Sequence, residues 1–524
     1  MMAYKLNKMY LSLFSIFIYT SIGSWIYAPV EGARILAVET VGSKSHWNFM
    51  SSILRTLVEN GHNVTVFTPF IDGDRENYTE VSTFTEDTVF VDMDIEYLIN
   101  KFGNTIKLVS QLSKLSRPMC DIVYENNKML EVLANKRSDF DIVITEPIFS
   151  ECVSYPAAKL NLPLIYVIPL PTMTIMERIY TGHMPNPAVV ANNLGSFGVP
   201  KTFFQRTTNT VILITCTIIR KFNELISKIL EPREYDLYTP IPPSLVFVNR
   251  HFTIEPASPI PSNFVAIGGI HLNLKTTKRI PKEILEFIEQ SPHGVIYFTF
   301  GSIVKMSSLP ESSKRAIIDA LSQIPQRVLW KYEDELENLP KNIMIKKWLP
   351  QHEILLHSNV KLFISHGGIS GLYEAIDGGV PILGFPVFSD QPKNIDSLVH
   401  AGIAISMDIR SVTKDEFLKN ILELLNNRKY MENIKTASKI FKDRPMSPAN
   451  LVVYWTEYVL RHKGAPHLTS YAINLSWYQY YLLDVIALIL VFIIIVVFAF
   501  YRIFKLISKY FSNYSRNSTK SKSE

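Results

Sequence analysis

Cysteine is scarce in this chain. Cys120, Cys152 and Cys216 are the only three in 524 residues. An odd number at wide spacing argues against a disulfide framework or a zinc site and leaves room for one bridge at most. Net charge is also missing where it would matter. The formal charge of +5 sits at the ends: residues 502–524 carry six basic side chains against one acid, and Lys5 and Lys8 add two more. The body between them is left near −2, so no nucleic-acid surface is implied. What the chain does have is length and apolar content. Hydrophobic residues make up 47%, enough for sizeable cores, and the length exceeds one ordinary domain.

Both ends read as membrane-directed. After Lys5 and Lys8 comes an apolar stretch over residues 11–19 and then small residues up to Ala28. This pattern is a signal peptide, residues 1–28, cleaved between Gly23 and Gly32; a retained helix is the alternative, for which the run is short and broken by Ser and Gly. At the other end residues 485–501 are uncharged, and Leu482 and Leu483 extend them to near the ~20 residues that span a bilayer. Trp477, Tyr478, Tyr480 and Tyr481 form an aromatic belt on one side, and Arg502, Lys505 and Lys509 flank the other. A single-pass type I protein follows, with a membrane helix over 482–501 and a basic cytosolic tail over 502–524. Asn63, Asn77 and Asn474 open glycosylation sequons.

Between the ends, strand and helix patterns alternate. Residues 34–38 read as a strand, 39–46 as the loop above it, 47–60 as a helix stopped by Gly61, and 63–67 as a second strand. This is a Rossmann-like start, and it places His46 at a strand-to-helix junction facing any cleft. A lone His there is more often a cap or a surface residue. Residues 97–134 are helical, and 141–145 form a buried strand with Glu146 at its end and Glu151 five residues on. Residues 169–243 are rich in Pro, aromatics and apolar runs, including 211–219; such surface lines a pocket, lies against a bilayer, or forms a buried helix pair. A Pro-rich linker at 256–261 marks a boundary near 260–275. It separates an N-terminal domain, 29–260, from a C-terminal one, 261–445. Strands over 295–300, 327–331 and 343–347 and a helix over 414–426 belong to the second. A helix over 449–461, within a 446–481 segment, crosses back to the first.

The most informative stretch is residues 348–391, WLPQHEILLHSNVKLFISHGGISGLYEAIDGGVPILGFPVFSDQ. Residues 360–365 are a short strand, and His366-Gly367-Gly368 turns the chain into a helix over about 370–377. The glycines permit close backbone approach, so the free N–H groups of that helix can face an anion. Glu374 stands one turn after Ser370, where it can accept hydrogen bonds from a hydroxylated ligand. Asp390-Gln391 follow the next strand. The spacing describes a site for a phosphate with sugar hydroxyls on either side, although a Gly-rich turn alone is more often a structural loop.

This segment resembles the donor-binding signature of UDP-glycosyltransferases: W-x-P-Q, H-x-G, an acidic residue, P and D-Q, over 44 residues. The likeness runs from Ser45-His46-Trp47 to the C-terminal apolar helix. It implies an α/β fold of GT-B architecture, two facing Rossmann-like domains, followed by one transmembrane helix. The implied activity is inverting transfer of glucose or glucuronic acid from a UDP-sugar to a hydroxyl of a small lipophilic acceptor. Trp348 would stack on uracil, with Gln351 near uracil or ribose, and Glu374 would bind ribose. His366, Ser302 and the backbone of Gly368, Ser370 and Gly371 would meet the diphosphate; Asp390 and Gln391 would hold the sugar. His46 would be the general base and Glu146 its orienting acid, where the family has Asp. Glu151-Cys152 resembles the D-C of some relatives, so Glu151 is the alternative. No metal and no cofactor beyond the UDP-sugar co-substrate is implied, and Asp92-Met93-Asp94, like a manganese-binding D-x-D of another glycosyltransferase class, reads as a solvated strand end. The implied location is the endoplasmic reticulum membrane with the catalytic mass luminal, and a homo-oligomer is compatible. Glu146 and Ser370, the latter where Asn is usual, motivate the alternative of a non-catalytic nucleotide-sugar- or ligand-binding membrane protein. Lys393 would attract a sugar carboxylate or simply be solvated.

Overall fold

Short apolar runs such as Ile142–Thr145, Leu164–Ile168 and Leu245–Val248 bury every residue, as strands must when helices cover both faces of a parallel sheet. In the computed structural model, which describes residues 32–86, 89–134, 139–148, 150–171, 174–237, 241–272 and 279–520, they build two such sheets. The segment read as a signal peptide lies outside the described residues.

The first sheet takes β1 (Arg34–Val38), β2 (Asn63–Thr68), β3 (Tyr78–Ser82), β4 (Ile142–Thr145), β5 (Leu164–Ile168), β6 (Leu245–Val248) and β7 (Phe264–Ala266) in the order β3-β2-β1-β4-β5-β6-β7. The second takes β8 (Val295–Thr299), β9 (Arg327–Lys331), β10 (Ile343–Lys346), β11 (Val360–Ser365), β12 (Ile382–Gly384) and β13 (Ala404–Ser406) in the order β10-β9-β8-β11-β12-β13. Every pairing is parallel. Strand order reverses between β1 and β4 in one sheet and between β8 and β11 in the other. Ligands bind outside the strand carboxyl ends at such switch points, and the residues that leave these four strands are Glu39, Glu146, Phe300 and His366.

Several local readings change. Phe264–Ala266 lies past the Pro-rich segment and still extends the first sheet, so the chain changes sheet between Ala266 and Val295. Asp92 and Asp94 are exposed, but their backbone is not a free strand end. The Asp92 N–H donates to the Ser302 carbonyl at 3.0 Å, Met93 N–H to Ile303 at 2.6 Å, and Lys305 N–H to Met93 at 2.8 Å, stitching this segment to the loop after β8. Asp94 Oδ1 caps the Ile95–Phe102 helix by accepting the Tyr97 N–H at 2.8 Å. Lys393 is neither solvated nor free: it is buried and paired with buried Glu255 at 2.5 Å. The Phe203–Leu230 helix is no buried pair either. Only one stripe, with Leu213 and Cys216, turns inward, while Ile214, Ile218, Phe222, Leu225 and Ile229 face out. Cys120 and Cys152 form one disulfide and Cys216 is a free buried thiol.

The Pro448–Arg461 helix returns to the first half, where Val452 and Val459 share a core with Ile35, Trp47 and Leu245. Residues 470–524 form a separate unit. Its main helix, Leu483–Lys520, contains within Leu483–Asn513 an 18-residue window of mean hydropathy 3.3, none of that window buried, and is long and apolar enough to cross a membrane. The segment read as a tail therefore continues the helix to Lys520. Arg502, Lys505 and Lys509 fall three and four residues apart, a helical spacing that leaves the pattern unbroken.

Candidate active site

The wall that carries His46 is set by strand register. Val38 of β1 lies opposite Thr145 of β4, so the next residue of each strand, Glu39 and Glu146, leaves the sheet beside the other. Both are fully buried. The following helix is Lys44–Glu59, with Ser43 at its N-cap. It begins three residues before the first apolar residue of the pattern, so His46 stands in the first helical turn rather than in the loop. Trp47, the next residue, is buried in the core and fixes the turn. From there His46 Nδ1 meets Glu146 Oε1 at 2.6 Å. Glu151 opens the short Glu151–Ser154 turn of helix, and its side chain lies outside the described part.

Burial disfavours charge on both partners. It holds the His46 imidazolium below its ordinary range, against the opposing pull of Glu39 and Asp390, and it pushes the Glu146 carboxyl up to about 8, with a hydrogen bond from Glu39 acting the other way. A helix N-terminus also disfavours a cation in its first turn. Removing one proton from the pair leaves a neutral imidazole beside a carboxylate.

The donor side follows from the turn after β11. Gly368 caps the Ile369–Gly378 helix, slightly longer than the spacing predicts. The His366 ring is held between two loops. A Cβ on Gly301, at φ +75°, would stand 2.7 Å from its Cε1, and one on Gly368 would stand 2.7 Å from its Nε2. Glycine is therefore required on both faces of the ring. Burial, then Lys331, lowers the His366 imidazolium to about 4, so near neutral pH this is an uncharged hydrogen-bonding group. Glu374 Oε2 accepts from Gln351 Nε2 at 2.5 Å, and Gln351 Oε1 accepts from the Tyr297 hydroxyl at 3.3 Å. Burial raises Glu374 to about 7, with the Gln351 hydrogen bond opposing. Trp348 is 63% exposed, its ring free to be covered.

Asp390 and Gln391 begin the Gln391–His400 helix. Gln391 Oε1 accepts the Val387 and Phe388 N–H groups at 2.9 and 3.1 Å, while Asp390 Oδ2 accepts from Asn394 at 2.6 Å. Burial raises Asp390, with the Asn394 hydrogen bond and, less strongly, His46 acting the other way.

These walls enclose a cleft of about 310 Å³. His46, Ser302, Trp348, Gln351, His366, Gly368, Ser370, Gly371, Glu374, Asp390 and Gln391 all line it. The rest of the lining combines polar groups such as Lys44, Asn48 and Lys331 with apolar side chains that include Phe90, Phe102, Leu108, Met119 and Phe388. Two groups at the site had no sequence reading of their own. Glu39 lies behind Glu146, and His271 Nε2 sits 3.2 Å from the Ser370 carbonyl and 3.8 Å from Glu374. Glu39 could have been noticed as the second acid ending a central strand; nothing local marks His271.

Comparison with known proteins places this geometry. Residues 33–518 match the family described as UDP-glucoronosyl and UDP-glucosyl transferase. The chain is 37% identical over 492 residues to UDP-glucosyltransferase 2 of Dactylopius coccus, covering 92% of each. It is 32% identical over 497 residues to UDP-glucuronosyltransferase 1A10 of Homo sapiens, covering 89% of this chain and 90% of that one. Among solved structures, UGT89C1 of Arabidopsis thaliana complexed with UDP-L-rhamnose superposes with a TM-score of 0.55 at 14% identity, over 83% of this chain and all of that one. The calicheamicin glycosyltransferase CalG4 gives 0.55 at 16% identity, over 82% and 99%. The fold is that of GT-B glycosyltransferases, and the chain belongs to the UDP-glucuronosyl- and UDP-glucosyltransferase family, whose members are enzymes that use a UDP-sugar donor.

Proposed function

We propose that this protein transfers glucose or glucuronic acid, with inversion, from a UDP-sugar to a hydroxyl of a small lipophilic acceptor, using His46 as general base. The observation that carries the reading is the 2.6 Å pairing of His46 with buried Glu146 on one wall of a cleft whose other wall is the donor signature. With Nδ1–H donated to Glu146, the Nε2 lone pair is free to accept the acceptor's hydroxyl proton. The acceptor oxygen attacks the anomeric carbon, the carbon–oxygen bond to UDP breaks, and the diphosphate leaves with the electron pair. Ser302, His366 and the N–H groups of Gly368, Ser370 and Gly371 would bind that growing charge at a helix N-terminus. This assignment needs no resident cofactor. Glu374 would receive the ribose hydroxyls, Trp348 the uracil, and Asp390 and Gln391 the sugar. The apolar lining around Phe102 and Met119 suits a lipophilic acceptor. Microsomes bearing the protein, given UDP-glucose and UDP-glucuronate side by side against a panel of phenols, test this: glycoside with one of the two donors supports it, and binding of both without product overturns it.

Three further outcomes follow from the same geometry. Trp348→Ala is expected to weaken donor binding by about 0.5–1.5 kcal/mol for the lost stack plus the area uncovered, read as a raised KM for UDP-sugar at near-constant kcat. Gly301→Ala places a side chain in the left-handed region, at a cost of about 1–2 kcal/mol, and displaces His366; calorimetry with UDP should show binding at least several-fold weaker. The third concerns pH. The base is armed when the His46–Glu146 pair loses its proton, and burial raises that ionisation toward about 8. We expect kcat/KM to rise with pH through the neutral range and to be lost as pH falls below it, a limb well above that of an ordinary carboxylate.

We also assign the catalytic mass to the lumen of the endoplasmic reticulum. The Cys120–Cys152 bridge fits an oxidising compartment, and Asn77 of one sequon is exposed. Protease protection of the body in sealed microsomes checks this orientation.

A further inference from the structure

The buried acid behind the base pair has a chemistry of its own. Glu39 and Glu146 extend from in-register neighbours of adjacent strands, both without exposure to solvent. Glu146 Oε1 is occupied by His46 Nδ1 at 2.6 Å, and Glu39 Oε1 accepts the Val41 N–H at 3.0 Å. The two remaining oxygens, Glu39 Oε2 and Glu146 Oε2, are buried and have no hydrogen-bond partner among the described residues, and each carboxyl acts on the ionisation of the other. Two carboxylates cannot accept from one another, and two adjacent buried charges repel strongly. One proton between them removes both conflicts.

We propose that Glu39 is a positioning residue that holds this proton and donates it to Glu146 Oε2, so that the pair carries one negative charge behind His46. The inference rests on the reading of His46 as base. Glu39 is the better keeper of the proton because Glu146 already receives the His46 N–H, which favours its ionised form, whereas Glu39 faces Glu146 and receives only the Val41 N–H. Burial first and Glu146 second raise the Glu39 carboxyl well above its ordinary range. The charged or titratable groups that act on this cluster are His46 from the Lys44–Glu59 helix, Glu146 from the end of β4 and Asp390 beside the Gln391–His400 helix. With the proton in place, Glu146 stays ionised and keeps the imidazole in the tautomer that leaves Nε2 free. Without the donor, Glu146 would take up a proton itself and reverse that tautomer.

Two substitutions separate this from packing. Glu39→Gln reproduces a protonated carboxyl, with its carbonyl on the Val41 N–H and its amide donating to Glu146, and no proton to lose. It should keep kcat within about threefold and leave the acid limb of the pH profile in place. Glu39→Leu removes the donor from a site of the same size. It should lower kcat about ten- to a hundredfold and move the acid limb up by about one pH unit, with UDP affinity unchanged. If Glu39→Gln is as damaging as Glu39→Leu, or if Glu39→Leu shows the wild-type pH profile, the assignment is overturned. Should Glu39→Leu fail to fold, Glu39→Gln alone decides, since a tenfold loss in that variant contradicts a neutral donor. An active His46→Ala variant would instead remove the base reading itself, a result distinct from either.

Discussion

His46→Ala should abolish sugar transfer and leave UDP binding intact. General bases of this kind contribute ~10²–10⁴-fold, and no other described side chain on that wall offers a free imidazole: of the two others lining the cleft, His366 follows β11 of the second sheet and His271 is turned toward Ser370 and Glu374. The loss should therefore appear in kcat, by about a thousandfold, with UDP affinity by calorimetry unchanged. Transfer at near-normal rate would remove His46 from the mechanism. The separation of the two readouts is what makes the result specific, because the donor wall is built from a different sheet.

Glu146→Gln is expected to cost nearly as much. The amide can present its NH₂ to His46 Nδ1 and so favour the tautomer whose Nε2 already carries hydrogen, which is the wrong one for a base. Comparable replacement of the orienting acid in other catalytic arrays lowers kcat by ~10⁴; here about 10²–10⁴ is expected, again with UDP affinity retained. The residual rate should also lose the acid limb described above, because the carboxyl responsible is gone. Retention of full activity would mean that another group orients the imidazole, and the side chain to examine would then be Glu151.

The donor wall was legible because it is contiguous. Two strands and two helices within 44 residues fix Trp348, His366, Glu374 and Asp390 relative to each other, and local patterning carries nearly all of that. The base wall was legible only in part. His46 and Glu146 could be named from the residues around them, yet their meeting depends on β1 lying beside β4, a pairing that no local pattern encodes. Glu39 went unread for the same reason: its role exists only in the register Val38 to Thr145. The helix start was misplaced because Lys44, Ser45 and His46 carry no apolar period, while the N-cap at Ser43 makes no side-chain hydrogen bond to mark the spot. The junction at Asp92-Met93 was illegible in principle. Backbone groups make it, and every sequence supplies those.

Lys393 offers a similar lesson in chemistry. From its position beside Asp390-Gln391 it could be read as a selector for a sugar carboxylate. Its ammonium is instead consumed by Glu255 in a buried pair, and removing either partner would strand a buried charge at about 3–5 kcal/mol. Paired in this way, Lys393 is not available to a sugar carboxylate.

The central claim, an inverting transfer armed by the His46–Glu146 pair, is tested most directly by the anomeric configuration of the product. Proton NMR of the glycoside formed from an α-linked UDP-sugar and a phenol, with UDP measured in the same reaction, should show the β-glycoside and one UDP released per glycoside. An α-glycoside, or UDP-sugar bound with no glycoside formed, would contradict the account.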